Sequence, residues 1–211
     1  MSSALNAEEN ILIVSASISS ELREVRKVAR EMSLGVMNAK AISHRAGDAA
    51  KGFRPITDFI DEMAHEIISL VNQISKQSVD FVHFAVKHRH FNQTWVRYQQ
   101  VIKQGDEVKH IKSLQQVMNK VGSDSALCRK KFISVIRKMR SLLEDIQRST
   151  RGAQIISATS RVEASRAKEF SQSLEVVANQ VDNSTDNIRS RLQGSHDSLT
   201  EILNMLAREE N

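Results

Sequence analysis

The sequence contains few of the residues that interrupt helices or form tight turns. Among its 211 residues there are one proline and seven glycines, and aromatic residues make up only 4%. β-Sandwiches and β-barrels need turn residues roughly every 8–12 positions, which this composition does not supply. The all-β classes are therefore excluded, and the abundance of Ala, Ser, Lys, Glu and Leu favours long helices.

Cysteine and long apolar runs are scarce as well. Cys128 is the single cysteine, so an intrachain disulfide and a cysteine metal cluster are excluded. No apolar run approaches the roughly 20 residues that cross a bilayer. The acidic residues Glu8 and Glu9 precede the apolar run 11–14, unlike the basic start of a signal peptide. We therefore expect a cytoplasmic protein with no membrane span.

The formal net charge is +5, from 30 basic and 25 acidic residues. A basic balance is compatible with an acidic partner or nucleic acid, but a solvated coiled-coil surface rich in Lys and Arg explains it more simply. The basic stretch 129–140 surrounds apolar residues and lacks interleaved aromatic residues that could stack on bases. We therefore expect no nucleic-acid partner.

Apolar residues recur every seven positions in two long series, as they do in coiled coils. The first series runs from Phe53 to Ile102 and the second from Ile111 to Ile156. Shorter series over residues 11–42 and 174–206 flank them. Gly105 and Asp106 separate the long series and predict a tight reversal, since Gly suits a helix end and Asp a helix start.

The expected fold is all-α: an elongated antiparallel four-helix coiled-coil bundle whose inner two helices are longer than the outer two. Short connections make neighbouring helices antiparallel. The predicted helices cover about residues 8–46, 50–104, 106–166 and 170–208.

The longer inner helices predict a two-helix hairpin near residues 80–130 that the outer helices do not cover. An uncovered aromatic cluster usually marks an interface. We expect this distal end to form an interface with a partner or a second copy of the chain, through Phe81, Phe84, Phe91, Trp95 and Tyr98.

Histidines cluster near the same end, at His83, His88, His90 and, across the reversal, His110. His83 and His90 are about 10 Å apart along a helix, which is too far to share a small metal ion directly. We expect core and surface histidines, no metal and no cofactor, although a metal or haem site with His110 or another chain stays open. The sequence has no Walker loop and no plausible catalytic triad, so we do not expect an enzyme.

The sequence repeats part of itself at an offset of 121 residues. Arg45-Ala46-Gly47-Asp48 aligns with Arg166-Ala167-Lys168-Glu169, and Phe53 aligns with Leu174. Each copy lies at the junction between a shorter and a longer predicted helix. Small residues allow helices to approach near a turn, and Gly47 can adopt the positive φ that a chain reversal requires.

These segments resemble the hairpin tip of the cytoplasmic signalling domain of methyl-accepting chemotaxis proteins. The first half matches the tip pattern at Met37-Asn38-Ala39, Arg45-Ala46-Gly47-Asp48 and Lys51-Gly52-Phe53. The second half matches it over the segments 162–169 and 174–181. Neither copy is complete, but together they contain most of the motif at the right spacing.

In that family two identical hairpins dimerise into a four-helix bundle with both tips at one end. The resemblance implies that this chain is a single helical signalling domain over 1–211, made of two fused halves at about 1–104 and 106–211. It implies signal transduction or scaffolding through contacts with a chemotaxis histidine kinase and a coupling protein. The tip residues expected to bind partners are Asn38, Arg45, Gly47, Asp48, Gly52, Phe53, Glu163, Arg166, Glu169 and Val176.

The sequence also departs from the family pattern. Arg30 and Arg151 occupy the position of a contact Phe, and Pro55 replaces the contact Val that the second half keeps as Val176. We find no clear methyl-acceptor pattern, so methylation is not expected. Two other hypotheses stay open: a structural coiled-coil protein that oligomerises through residues 80–130, and a basic nucleic-acid-binding bundle.

Overall fold

A computed structural model describes residues 2–104 and 111–208 of the chain. These residues form four α-helices: α1 (Ser2–Ala46), α2 (Phe53–Gln104), α3 (Ile111–Arg166) and α4 (Ser171–Arg208). Short 3-10 helices at Gly47–Ala50 and Lys168–Phe170 connect α1 to α2 and α3 to α4. The described residues contain no strand, and the predicted all-α bundle with longer inner helices is confirmed.

The helix boundaries differ from the predicted ones at several ends. The first helix begins at Ser2 rather than near residue 8. The second begins at Phe53 rather than near residue 50, because a separate 3-10 turn comes first, and this leaves Pro55 in the first helical turn. The predicted reversal at Gly105 and Asp106 lies outside the described residues, as does the predicted start of the third helix.

Neighbouring helices are antiparallel. The Lys40 ammonium lies 3.0 Å from the Asp61 carboxylate, and the Arg26 guanidinium lies 3.5 Å from the Asn72 amide oxygen. Residue numbers therefore increase along α1 in the direction in which they decrease along α2. The contacts α1–α2, α2–α3, α3–α4 and α1–α4 close the four helices around one core.

The core is one continuous apolar column with a smaller cluster at one end. Phe132 is fully buried, with its ring centroid 5.3 Å from that of Phe81 and 6.2 Å from that of His88. His88 is itself buried, so the column accepts one histidine from the first seam. The largest fully buried side chains elsewhere in the column include Ile18, Leu22, Met32, Ile60, Ile67, Ile74, Ile136, Met139 and Leu143.

The burial pattern repeats at the offset of 121 residues that relates the two halves. Val25 and Ile146 are both buried, as are Ile67 and Ile188. Other buried pairs at this spacing are Ile18 with Met139, Leu22 with Leu143, Ile60 with Val181, and Val71 with Leu192. Equivalent residues of the two halves therefore build the same core. The division into two fused halves stays a prediction, which this repeat supports.

Truncation of the central aromatic residue tests the core. Phe132→Ala removes a buried ring and leaves a cavity, so the free energy of unfolding should fall by about 3–5 kcal/mol. Chemical denaturation followed by circular dichroism measures this. Ile155 is 73% exposed on the same helix, and Ile155→Ala should change stability by less than about 0.5 kcal/mol. Equal effects of the two substitutions would contradict the assigned core.

Candidate functional site

The two chain reversals lie together at one end of the bundle. We call residues 47–52 the first tip and residues 167–170 the second tip. One small apolar cluster joins them, separate from the main core. Its buried members come from α1, both tips, α2, α3 and α4: Ala39, Ala50, Phe53, Ala164, Ala167, Leu174 and Val177. Most are alanines, and their small size allows the helices to approach closely beside the turns.

Both tips reverse the chain through one residue with a positive φ angle. Gly47 has φ of +59° and Lys168 has φ of +51°, both in the left-handed region. These residues are equivalents at the offset of 121. Lys168 is the one non-glycine residue with positive φ among the described residues, and L-residues other than Gly enter this region at a cost in free energy. The tip geometry is therefore retained at the second position in spite of strain.

Glu163 connects the tips. Its carboxylate accepts a hydrogen bond of 2.8 Å from Arg166, three residues ahead on α3. The same carboxylate lies so close to Gly52 of the first tip that a methyl group added there would overlap it. Gly52 thus allows the side chain of one half to lie against the turn of the other.

Matching polar clamps hold each hairpin together just behind its tip. Lys40 pairs with Asp61 at 3.0 Å and with Asp58 at 3.1 Å, which ties α1 to α2. At the equivalent position on α3, Arg161 pairs with Asp182 and donates a hydrogen bond to Asn179 at 3.2 Å, which ties α3 to α4. The residues that form the clamps are again 121 positions apart.

The first clamp shifts the pKa values of Lys40 and Asp61. Burial by itself would raise the pKa of Asp61, but hydrogen bonds from Lys40 and Ser33 outweigh it and hold that pKa below its ordinary value. Hydrogen bonds to Asp61 and Asp58 raise the pKa of Lys40. Both shifts favour the charged forms, so the clamp is an ion pair at neutral pH.

The structure separates the predicted tip residues into exposed and buried groups. Phe53 is fully buried in the tip cluster, so its predicted role in partner binding is wrong; its ring closes the apolar core instead. Gly47 acts through its backbone and Glu163 is half-buried. The exposed members are Asn38, Arg45, Asp48, Gly52, Arg166, Glu169 and Val176.

Sequence reasoning missed several apolar side chains that point to solvent near the tips. Leu34 is 61% exposed, and its equivalent Ile155 is also exposed. Met37 and Val162 are exposed in the helical turns that lead to the tips, in addition to Val176, which was predicted. These positions fall outside the heptad seams, and an apolar residue outside a seam is the signal that could have identified them.

The aromatic residues predicted to form the distal interface differ in how exposed they are. Phe81 is fully buried against Phe132, so it belongs to the core and not to a surface. Trp95 is 38% exposed and lies 3.8 Å from the position that a Cβ on Gly122 would occupy. Three further members of the predicted interface are half-buried: Phe84, Phe91 and Tyr98.

The histidines that the structure describes near the distal end do not form a common site. His88 is buried, while His83 is exposed with its ring edge-on to Phe84 at 5.4 Å. His110 lies outside the described residues. Within the described ranges, no group of three or more His, Cys, Asp or Glu side chains could hold a metal ion.

Cys128 is buried, and its thiol donates to the Phe84 carbonyl oxygen at 3.9 Å. Burial raises the pKa of this thiol, so it stays protonated at neutral pH. Its surroundings fit a small core residue, since a thiolate is the nucleophilic form of cysteine.

The two positive-φ positions can be tested by comparing Gly with Ala at each. Ala keeps the strain at position 168 and introduces it at position 47. The variant Lys168→Gly should therefore be more stable than Lys168→Ala by about 1 kcal/mol, and wild type more stable than Gly47→Ala by a similar amount. Nothing lies within 4 Å of an added Cβ at Gly47, so its effect is conformational.

The control position is Ala158, which is exposed within α3. There the order reverses, because Ala158→Gly should destabilise the helix by about 1 kcal/mol. Thermal and urea denaturation measure the stability of all of these variants. The left-handed assignment is wrong if Ala is preferred over Gly at position 168 as it is at position 158.

The first clamp predicts how stability depends on pH. The folded-state pKa of Asp61 is lowered, so its contribution is complete above the ordinary value of 3.8 and is lost as pH falls through the folded pKa. The pKa of Lys40 is raised, so its contribution is complete below 10.5 and is lost as pH rises through the folded pKa.

Asp61→Asn should therefore flatten the acid side of the stability curve. Asp61→Asn should lower the free energy of unfolding by less when Lys40 has been replaced by Met. The coupling free energy between the two substitutions should be about 0.5–1 kcal/mol at neutral pH. Urea denaturation of the four variants between pH 2 and pH 7 measures this. An additive cycle would contradict the clamp.

In the described part of the chain, no helix combines the length and the apolar character that a bilayer crossing requires. No protein-family model matches the sequence, and a search of curated proteins finds no match either. The resemblance to chemotaxis receptors therefore depends on the tip segments themselves.

Proposed function

We propose that the protein is a cytoplasmic, chemotaxis-receptor-like signal-transduction or scaffold protein that acts through contacts made by its paired tips. The observation that supports this most is the pair of turns at one end of the bundle, with a left-handed residue at the equivalent position of each. The role is binding, not catalysis.

The proposal treats the chain as a built-in pseudo-dimer of the signalling hairpin. Three features repeat at the offset of 121: the buried core positions, the positive-φ residues, and the Lys40 and Arg161 clamps. A generic helical bundle needs an apolar core in each half, but it does not need equivalent ion pairs and equivalent left-handed turn residues. The second and third repeats thus favour two copies of one hairpin.

The tip surface has the mixed character of a transient protein interface. Arg45, Arg166 and Glu169 are exposed and can form directional polar contacts. Exposed Leu34, Met37, Ile155, Val162 and Val176 supply apolar area beside them. Protein interfaces commonly combine apolar patches with arginine in this way.

The departures from the family pattern bear on the identity of the partner. Arg30 and Arg151, which replace the contact Phe, are equivalents at the offset of 121, and both are exposed. Two exposed guanidinium groups fit an acidic partner better than the apolar pocket that a Phe would fill. A chemotaxis histidine kinase and a coupling protein are the first partners to test, with a diverged, more acidic binding surface expected.

Signals would travel as changes in helix packing. The buried members of the tip cluster on α1 and α3 are the alanines Ala39 and Ala164, with Ile42 partly buried against them, so few contacts there resist a small shift between the hairpins. A shift would alter the contact between Glu163 and Gly52 and the exposure of Arg166. This is how packing along the bundle could change partner binding.

A structural oligomerisation protein is the second candidate. The observation that favours it is the set of exposed apolar side chains near the distal end, namely Val86, Trp95, Val96, Val101, Ile102, Val117 and Leu127. A second copy that covered residues 80–130 would bury them. In this reading the tips only reverse the chain.

A binding experiment with the native kinase and coupling protein tests the leading proposal. Arg166 is exposed and held by Glu163, so Arg166→Ala should weaken binding by about tenfold, as expected for a contact residue worth about 1.4 kcal/mol. The matched control is Arg148→Ala on the same helix, an exposed arginine paired with Asp145 away from the tips. It should bind as wild type does.

Circular dichroism and thermal denaturation establish that both variants are folded. The proposal fails if neither partner binds the wild-type protein, or if the two arginine variants bind equally. The structural alternative is favoured if analytical ultracentrifugation instead finds a stable oligomer that Trp95→Ala dissociates.

A further inference from the structure

Positive charge is concentrated at the distal end of the bundle. Residues 81–140 contain thirteen Lys and Arg against three Asp and Glu, whereas the rest of the chain contains 17 against 22. The chain is therefore basic at its distal end and slightly acidic elsewhere, although the overall charge is only +5. Such an asymmetry gives the distal end a long-range attraction for anionic surfaces.

Apolar and basic side chains alternate along one exposed stripe of α3. Val117, Lys120, Leu127, Lys131 and Lys138 are separated by three, four or seven positions and so share one face of the helix. All five are exposed, with Val117 at 45% and Leu127 at 54%. The stripe extends over about 32 Å of helix.

The stripe has clear limits. Asp124 lies on the same face and is the one acidic residue of the described part of 81–140. Asp145 follows Lys138 by seven positions, so the basic character ends there. The length of the stripe fits an extended surface better than a pocket.

On α2, apolar and basic side chains also occur together, as three exposed pairs of sequence neighbours. The pairs are Val86 with Lys87, Val96 with Arg97, and Ile102 with Lys103. Each pair places an aliphatic group beside a long cationic side chain. The partly exposed indole of Trp95 adds an amphipathic ring, of the kind that occupies membrane interfaces.

We propose that this distal arm, residues 86–103 and 115–138, docks peripherally on an anionic lipid bilayer surface. Lysines near such a surface each contribute to attraction, and buried aliphatic side chains add to it. A nucleic acid would use the charge but would gain little from the exposed Val and Leu side chains. A second copy of the arm would use the aliphatic groups but would meet like charge.

Docking here is independent of the proposed tip contacts, because the arm lies at the opposite end of the bundle. A failure of partner binding at the tips would leave it unaffected. The reverse also holds, so the two proposals can be tested separately on the same full-length protein.

Co-sedimentation with lipid vesicles tests the docking. The wild-type protein should bind vesicles of phosphatidylcholine mixed with phosphatidylserine, should not bind phosphatidylcholine alone, and should release as salt rises. The triple variant K120E/K131E/K138E reverses the stripe's charge and should bind at least about a hundredfold more weakly. The matched control, R23E/K27E/K76E, makes the same charge change at exposed positions of α1 and α2 outside the arm and should retain most of the binding.

A second variant keeps the charge constant. Val117→Ser combined with Leu127→Ser should weaken vesicle binding severalfold while duplex DNA binding, if any, stays unchanged. Circular dichroism checks that each variant is folded, and the serine variant keeps the test informative if the charge reversal unfolds the chain.

Several results would overturn the proposal. These are equal binding to neutral and anionic vesicles, equal losses in the two charge-reversal variants, and no effect of the serine substitutions. Tighter binding to duplex DNA than to anionic vesicles would assign the arm to nucleic acid. Self-association through the arm, reversed by the serine variant, would assign it to a second copy of the chain.

Discussion

The structure depends on one constraint: each helix must bury a single apolar stripe against two neighbours along its length. Val25 lies in the buried stripe of α1 and Ile67 in that of α2. Their equivalents Ile146 and Ile188 lie in the stripes of α3 and α4. Equivalent positions of the two hairpins are buried in one core, and both hairpins turn back at the same end of the bundle. The position of the tips is thus a consequence of core packing, and any tip function depends on the core.

The turns themselves require more than an apolar stripe. A short reversal between long helices places one residue in the left-handed region. Gly47 adopts this conformation without strain, whereas Lys168 is strained. Retaining the conformation without the favoured residue indicates that the surrounding contacts determine it. Ala167 is fully buried beside Lys168, and Glu163 and Arg166 pair one turn earlier, so the second tip is held from the α3 side.

Heptad spacing predicted four helices and most of the buried stripe, because helix burial follows local periodicity, but it missed the buried Leu22, Ile136 and Leu143. The short connections predicted the antiparallel order. It could not predict which seam residues become exposed. Phe53 and Phe81 were expected at surfaces and are buried, since they lie where all four helices overlap, while Trp95 lies near the end of that overlap. The contact between Glu163 and Gly52 joins residues far apart in sequence, and the Lys40 and Arg161 clamps depend on the relative rotation of two helices. Such features follow from tertiary packing and have no local signal.

The two ends of the bundle differ in the range over which they can attract a partner. The stretches 30–65 and 151–186 near the tips contain nine basic and ten acidic residues, several of them paired, so their fields largely cancel beyond contact distance. Recognition there must come from shape, apolar area and individual guanidinium groups. The distal arm carries an excess of basic residues, so it attracts anions over about a Debye length and responds to ionic strength. A rod with these two ends can hold one contact through salt-sensitive attraction while the other is made or broken by small changes in packing.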